Sequence, residues 1–353
     1  VASSAESLTH RAESTPLIIG AKGSPLELVL NSLYFESEMP ERITFSAAQR
    51  VQQTGLADAV PLYTRFSARG FKIVGTTLDY LHFRDLHPAS GRVMAMLGEC
   101  VIGSAVAEQL DVTVGGSVVT SPESVFDLAG VYPLKMKVVG ILQPTGTPDD
   151  RVILTDIKTA WIIEGLAHGH QDLAQPDAAK NVLKREGNVV VANAAVMQYN
   201  EITPGNMTSF HFHGDPSAFP LTAVIALPQD EKSFTLLQGK YLDEEERVQI
   251  VRPETVMDEL LDTVLTVQKY VTAGALIIGL STLMTGVLVF LLSLRLRKGE
   301  METMHRIGGN RLHIAGLIGA EIMAVLIAGA LLAGVLILFI SRMGDQLIRW
   351  IIL

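Results

Sequence analysis

Four of the nine histidines in this 353-residue chain stand in two H-x-H pairs, His168 with His170 and His211 with His213. Imidazoles two residues apart fall on one face of a strand. Such a pair chelates Zn²⁺ or Cu²⁺ once a third and a fourth ligand arrive, and Asp172 and Asp215 are the acids nearby. No cysteine or fixed ligand spacing accompanies either pair, so the plainer expectation is ordinary surface histidines, with transition-metal binding weak or absent. Elsewhere the first 270 residues offer no catalytic constellation. LIIGAKGSP has the glycines and lysine of a phosphate loop but not the G-x-x-x-x-G-K-[ST] spacing, and reads as a strand and turn. Cys100 is the sole cysteine, which excludes an intrachain disulfide.

The other chemically loaded stretch is LRLRKGEMETMHRIGGNRLH, residues 294–313, with Arg295, Arg297, Lys298, Arg306 and Arg311 among its charges. It separates two apolar runs, 271–293 and 314–340. The first has no charge and reaches roughly 34 Å as a helix, enough to cross a bilayer core of ~30 Å. The second is slightly longer and carries one charge, Glu321. Only Lys269 precedes the first run closely, and only Arg342 and Arg349 follow the second, so the Lys/Arg bias places the loop in the cytoplasm and residues 1–269 outside. Glu321 costs several kcal/mol in lipid unless it is paired or close to water. We expect it to anchor the start of the second span rather than line a transport path. A domain of this size needs a signal or anchor to cross the membrane, so a further span is expected ahead of Val1. The tail SRMGDQLIRWIIL is too short to cross and reads as an extracytoplasmic amphipathic turn or the start of a fourth span.

The elements that must position these residues follow from periodicity and punctuation. Apolar residues make up 48% of the chain and the net charge is −9, which argues against a nucleic-acid partner. PLELVLNSLYF after Ser24–Pro25 and AAQRVQQ after Ser46 read as helices. From Ala57 the pattern turns to short strands: a pair around Gly70, a helix at 104–110, a strand pair turning on Gly115–Gly116, then LKMKVVGILQ. RVILTDIKTAWIIEGL passes from strand to helix, AHGHQDLAQPDAAKN reads as a loop, and strands resume at NVVVANA and MTSFHFHGD. LTAVIAL, DEKSFTLLQGKYL and RVQIVRP form a βαβ-like unit. Pro253 then opens a helix whose seam of Val256, Leu260, Val264, Val267 and Val271 runs into the first span. That seam packs on its own domain, or on a preceding span and a second copy of the chain.

RLRKGEMETMHRIGGNRLHIAGLIGAE resembles the cytoplasmic segment of the FtsX/MacB-type ABC transporter permeases. There a basic residue, a Glu, a short helix, an Ile-Gly pair and a Glu near the start of a span recur, here Arg297, Glu300, residues 301–306, Ile307–Gly308 and Glu321. FKIVGTTLDY, ECVIGSAVAEQLDVTVGGSVV and MKVVGILQPTGTPDDRVILTD resemble the MacB-like periplasmic core. The resemblance implies an α+β extracytoplasmic domain, a βαβ porter-like part with an inserted mainly-β subdomain, followed by transmembrane α-helices. The corresponding division is 1–252 core, 253–270 helical stalk and 271–353 membrane domain, with four spans in the family pattern.

The resemblance further implies a bacterial inner-membrane, multi-pass, non-catalytic subunit that couples ATP hydrolysis to extraction or export of a substrate on the outer side. ATP is bound by a partner ATPase, since no Walker A sequence is present and no cofactor is expected of this chain. The partners implied are that ATPase, a second permease copy, membrane lipid and a periplasmic protein. Arg297, Lys298, Glu300, Glu302, Arg306, Gly308 and Gly309 would form the coupling element, the glycines allowing a sharp turn into the second span. An FtsX-like signalling subunit acting on a cell-wall hydrolase, and a zinc-linked transport component, are the alternatives.

Overall fold

The computed structural model describes residues 9–36, 40–121, 133–169, 182–186, 189–192, 201–241, 247–308 and 310–352. They divide into two compact units, Val1–Leu265 and Thr266–Leu353.

The first unit is built on two sheets. Its strands in chain order are β1 (Leu17–Ala21), β2 (Ile43–Thr44), β3 (Ala57–Leu62), β4 (Ser67–Ala68), β5 (Phe71–Thr76), β6 (Pro88–Gly91), β7 (Glu99–Ile102), β8 (Ser117–Val119) and β9 (Lys135–Leu142). They continue as β10 (Val152–Asp156), β11 (Ala167–Gly169), β12 (Val182–Glu186), β13 (Val189–Ala192), β14 (Phe210–Phe212), β15 (Pro220–Leu221), β16 (Ala223–Pro228) and β17 (Val248–Val251). The helices are α1 (Pro25–Tyr34), α2 (Ser46–Gln53), α3 (Leu78–Phe83), α4 (Ser104–Leu110), α5 (Ile157–Ile163), α6 (Glu231–Gly239), α7 (Pro253–Leu296), α8 (Lys298–Arg306) and α9 (Arg311–Ile352).

The porter-like part is a four-stranded antiparallel sheet in the order β17-β1-β16-β3. The βαβ-like unit β16–α6–β17 is therefore split, with β1 between its strands, and β1–α1–α2–β3 is split by β16 in the same way. Alternation along β1 explains why both faces are covered. Leu17 and Ile19 enter one core with Ala47, Ala48 and Val51 of α2 and Leu237 of α6, while Ile18 enters the other with Leu28, Val29 and Leu33 of α1. Local chemistry fixes the helix starts. Ser24 Oγ accepts from Glu27 N ahead of Pro25, Asp156 Oδ1 accepts from Lys158 N, and Asp230 Oδ1 accepts from Ser233 N.

Between β3 and β16 lies the inserted subdomain, a mixed seven-stranded sheet ordered β4-β5-β10-β7-β9-β6 with β8 on β9. It has parallel pairs at β5–β10 and β7–β9. Cys100 on β7 is fully buried, and burial together with Glu99 pushes its thiol up to about 12, so it is an inert core group. β11–β14, β12–β13 and β2–β15 are separate two-stranded ribbons.

Three details differ from the expectations. Gly115–Gly116 is not a hairpin tip: Asp111 closes α4 in the left-handed region (φ 52), and the two glycines lie along β9, Gly115 N donating to Val138 O and Val138 N to Gly116 O. Ala167–Gly169 is a strand, not part of a loop, because β14 supplies a partner distant in sequence. The helical backbone of α9 continues to Ile352 with no turn after Ile340.

In α7 the predicted seam divides. Met257 is buried in the first unit's core with Val256 and Leu260 packed on it, whereas Val264, Val267 and Val271 are exposed. α7 and α9 are both long and apolar enough to cross a membrane, and side chains such as Leu276, Leu288, Leu326 and Leu336 are exposed along them.

Candidate functional site

α7 breaks at Arg297, whose backbone (φ −88, ψ 6) leaves the helix before α8 begins. α8 is nine residues, short for a helix in water, and its local chemistry compensates: Glu300 sits in the first turn and His305 and Arg306 in the last, complementing the helix dipole. Thr303 Oγ1 donates to Gly299 O at 2.9 Å. The helix ends at Gly308, which takes φ +99 and donates its N–H to His305 O, a conformation that suits glycine just past a helix end. Asn310 then caps α9 by accepting from Leu312 N at 3.1 Å. None of the residues of α8 is buried. The helix is thus held at its ends, and its sides are not buried.

Of the residues singled out from the sequence, Lys298, Glu300, Glu302 and Arg306 lie on α8 and Gly308 in its terminating turn. Gly309 lies outside the described residues. Arg297 is placed differently: its guanidinium donates to Glu321 Oε2 of α9 at 2.5 Å. One charge needed a partner to enter an apolar helix, and the other stands at the break that starts α8. Their pairing ties that break to the second apolar helix. A groove of about 1190 Å³ between α7 and α9 takes in this pair and is lined also by Gly279, Gly286 and Ser293 on α7 and by Ile318, Ile322 and Val325 on α9. The sequence marked Arg297 and Glu321 separately; opposite charges at the ends of two apolar runs were the signal for their pairing.

The histidines are brought together across strands. β11 and β14 are antiparallel with His168 opposite His211, and His213 N donates to Leu166 O at 2.9 Å. His168, His211 and His213 therefore share one face of the ribbon, with ring centroids 4.7 to 5.2 Å apart. The opposite face carries Ala167, Phe210 and Phe212 into the core. Asp215 does not join them: its Oδ1 accepts from Ser217 N at 2.9 Å and caps the 3₁₀ turn Pro216–Ala218. His170 and Asp172 lie outside the described residues.

One further polar cluster was not anticipated. Arg11, in a helical turn over residues 9–13, is buried and donates to Asp149 Oδ2 at 2.6 Å, to Asp149 Oδ1 at 3.1 Å, to Tyr80 Oη at 2.9 Å and to Leu33 O at 2.5 Å. Burial alone would raise the Asp149 carboxyl, but Arg11, Tyr80 and Arg84 outweigh it and hold the group below its ordinary value. Nothing in TPDD or HRAES on its own announces this pairing.

Residues 19–191 match the family model of the MacB-like periplasmic core domain. Among solved structures, the periplasmic region of MacB from Actinobacillus actinomycetemcomitans is 10% identical, aligned over 72% of this chain and 97% of that one, with a TM-score of 0.38. The extracellular domain of the noncanonic ABC-type transporter YknZ from Gram-positive bacteria is 13% identical over 67% of this chain and 98% of that one, with a TM-score of 0.37. No curated protein matches the chain.

Proposed function

We propose that this chain, whose residues 19–191 match the MacB-like periplasmic core domain, is a permease of the MacB/FtsX type that couples ATP hydrolysis by a separate ATPase subunit to conformational change of its extracytoplasmic domain. In this reading it is a multi-pass, non-catalytic subunit of the bacterial cytoplasmic membrane. It drives extraction or export of a substrate already outside, without a path through the bilayer. The observation that carries the proposal is α8, a short exposed helix between two apolar helices, stopped by Gly308 and joined through Arg297 to Glu321. Such a helix can seat in a partner's groove and pass a push to both apolar helices at once.

The assembly we propose is two permeases with two ATPase subunits. Its support in this chain is the part of the α7 seam left exposed at Val264 and Val267, apolar positions that a second copy would cover. The mass of the detergent-solubilised full-length complex is expected to correspond to that stoichiometry. A single permease copy at working concentrations would refute it.

Glu302→Lys reverses one exposed charge on α8 and is expected to weaken ATPase pull-down roughly tenfold at low salt, with less effect at high salt. Wild-type association at every salt concentration would separate Glu302 from the contact.

A further inference from the structure

Among the described residues, three imidazoles stand together on the face of the β11–β14 ribbon turned away from the core. One nitrogen from each of His168, His211 and His213 lies within 4.8 Å of the others. His168 is partly buried and His211 and His213 are exposed, so an ion can reach them from solution. From this arrangement we infer that the ribbon is a binding site for a divalent transition-metal ion of the Zn²⁺ type. It reverses the expectation of ordinary surface histidines, and it does not depend on the permease reading.

The chemistry of the donors favours such an ion. Neutral imidazole nitrogens suit Zn²⁺, Cu²⁺ and Ni²⁺ rather than Ca²⁺ or Mg²⁺, which prefer oxygen. Tetrahedral Zn²⁺ with bonds of about 2.0–2.1 Å needs nitrogens about 3.4 Å apart. The rings must therefore draw inward, which small side-chain rotations accomplish on an exposed face.

A second observation points to the same use. His211 Nδ1 lies 3.1 Å from Ser209 O, and since a carbonyl oxygen only accepts, Nδ1 is the donor. That hydrogen bond places the ring proton on Nδ1, makes Nε2 the ring's electron-pair donor and helps to orient the ring, as backbone carbonyls do for metal-bound histidines.

The ribbon itself is firmly set. Ala167 is buried, and Gly169 faces Phe210 so closely that a Cβ there would come within 2.6 Å of the ring. The side chain opposite His168 is thus His211 and not a slipped neighbour. The three described histidines supply three of the four positions of a tetrahedral ion, and a bound ion would clip β11 to β14 across the long segment between them.

The test uses the tag-free full chain in detergent, titrated with Zn²⁺ against a chromophoric chelator. One ion per chain at micromolar affinity or tighter is expected, weakened at least tenfold by each of His168→Ala, His211→Ala and His213→Ala, and unchanged by His82→Ala. Zn²⁺ should raise the Tm of the wild type and not of the triple alanine variant. Co²⁺ should give the visible absorption of a tetrahedral nitrogen-rich site. His211→Asn, which preserves a polar exposed side chain, guards against loss of binding through misfolding and should also weaken binding tenfold. Affinity weaker than micromolar in the wild type, or Zn²⁺ binding retained by the triple variant, would overturn the assignment.

Discussion

Asp149→Ala is expected to cost the extracytoplasmic domain about 3–5 kcal/mol, because it leaves buried positive charge without its counter-ion. Asp149 is 1% exposed and Arg11 5% exposed. Arg84 lies close enough for Arg11 to depress its pKa, after the larger effect of burial, so two guanidiniums share the field of one carboxylate. Arg84 is bonded to the Ser14 and Thr15 hydroxyls, and its buried Nε has no hydrogen-bond partner. Removing the carboxylate also strips Tyr80 Oη of its acceptor, at 2.7 Å. Arg11→Met combined with Asp149→Leu should be less destabilising than Asp149→Ala, since Arg11 leaves with its counter-ion and Arg84 alone keeps its charge.

The pH dependence follows from the direction of the Asp149 shift. Its folded-state pKa lies below the ordinary 3.8, so the pairing stabilises fully above that value and is lost as pH falls through the lower, folded-state value. Denaturant unfolding followed by the fluorescence of buried Trp161 measures both effects. A cost below about 1 kcal/mol for Asp149→Ala, with unchanged acid dependence in Asp149→Asn, would show that the cluster is solvated and carries little of the stability.

What could be read from the chain beforehand was what local chemistry determines. Strand and helix positions at Leu17–Ala21, Ser104–Leu110 and Ile157–Ile163 follow from apolar periodicity and from caps such as Asp156. The two apolar helices follow from length and apolar composition, and the inserted subdomain was implied by the family resemblance. What could not be read was register between distant strands. His168 meets His211 because two short strands pair, and one of them, Ala167–Gly169, is too brief to show any periodicity. The Arg11–Asp149 contact has the same origin, because neither residue's neighbours encode a partner on the far side of a fold. Arg297–Glu321 lies between these cases: both charges were conspicuous, but their meeting depends on how α7 and α9 pair beyond the loop.

Thr303→Pro is expected to abolish coupling while leaving the extracytoplasmic fold intact. Position 303 lies in the interior of the nine-residue α8, where proline removes a backbone donor and its ring meets the carbonyl of residue 299, a cost of ~3 kcal/mol. In wild type that same carbonyl of Gly299 accepts the Thr303 hydroxyl. A helix this short has no neighbouring turns to absorb the loss, and none of its residues is buried to restore it through packing. The core of the first unit, around Leu17, Tyr63 and Ile153, is remote in sequence from α8. ATPase pull-down and permease-stimulated ATPase activity should therefore fall at least tenfold, while the unfolding transition reported by Trp161 stays where it is. Thr303→Ala, which loses only the hydroxyl bond and has the higher helix propensity, should retain both activities and so separates helix shape from side-chain chemistry. If Thr303→Pro kept wild-type association and activity, α8 would serve only to orient the chain in the membrane, and the site of coupling would have to be sought elsewhere.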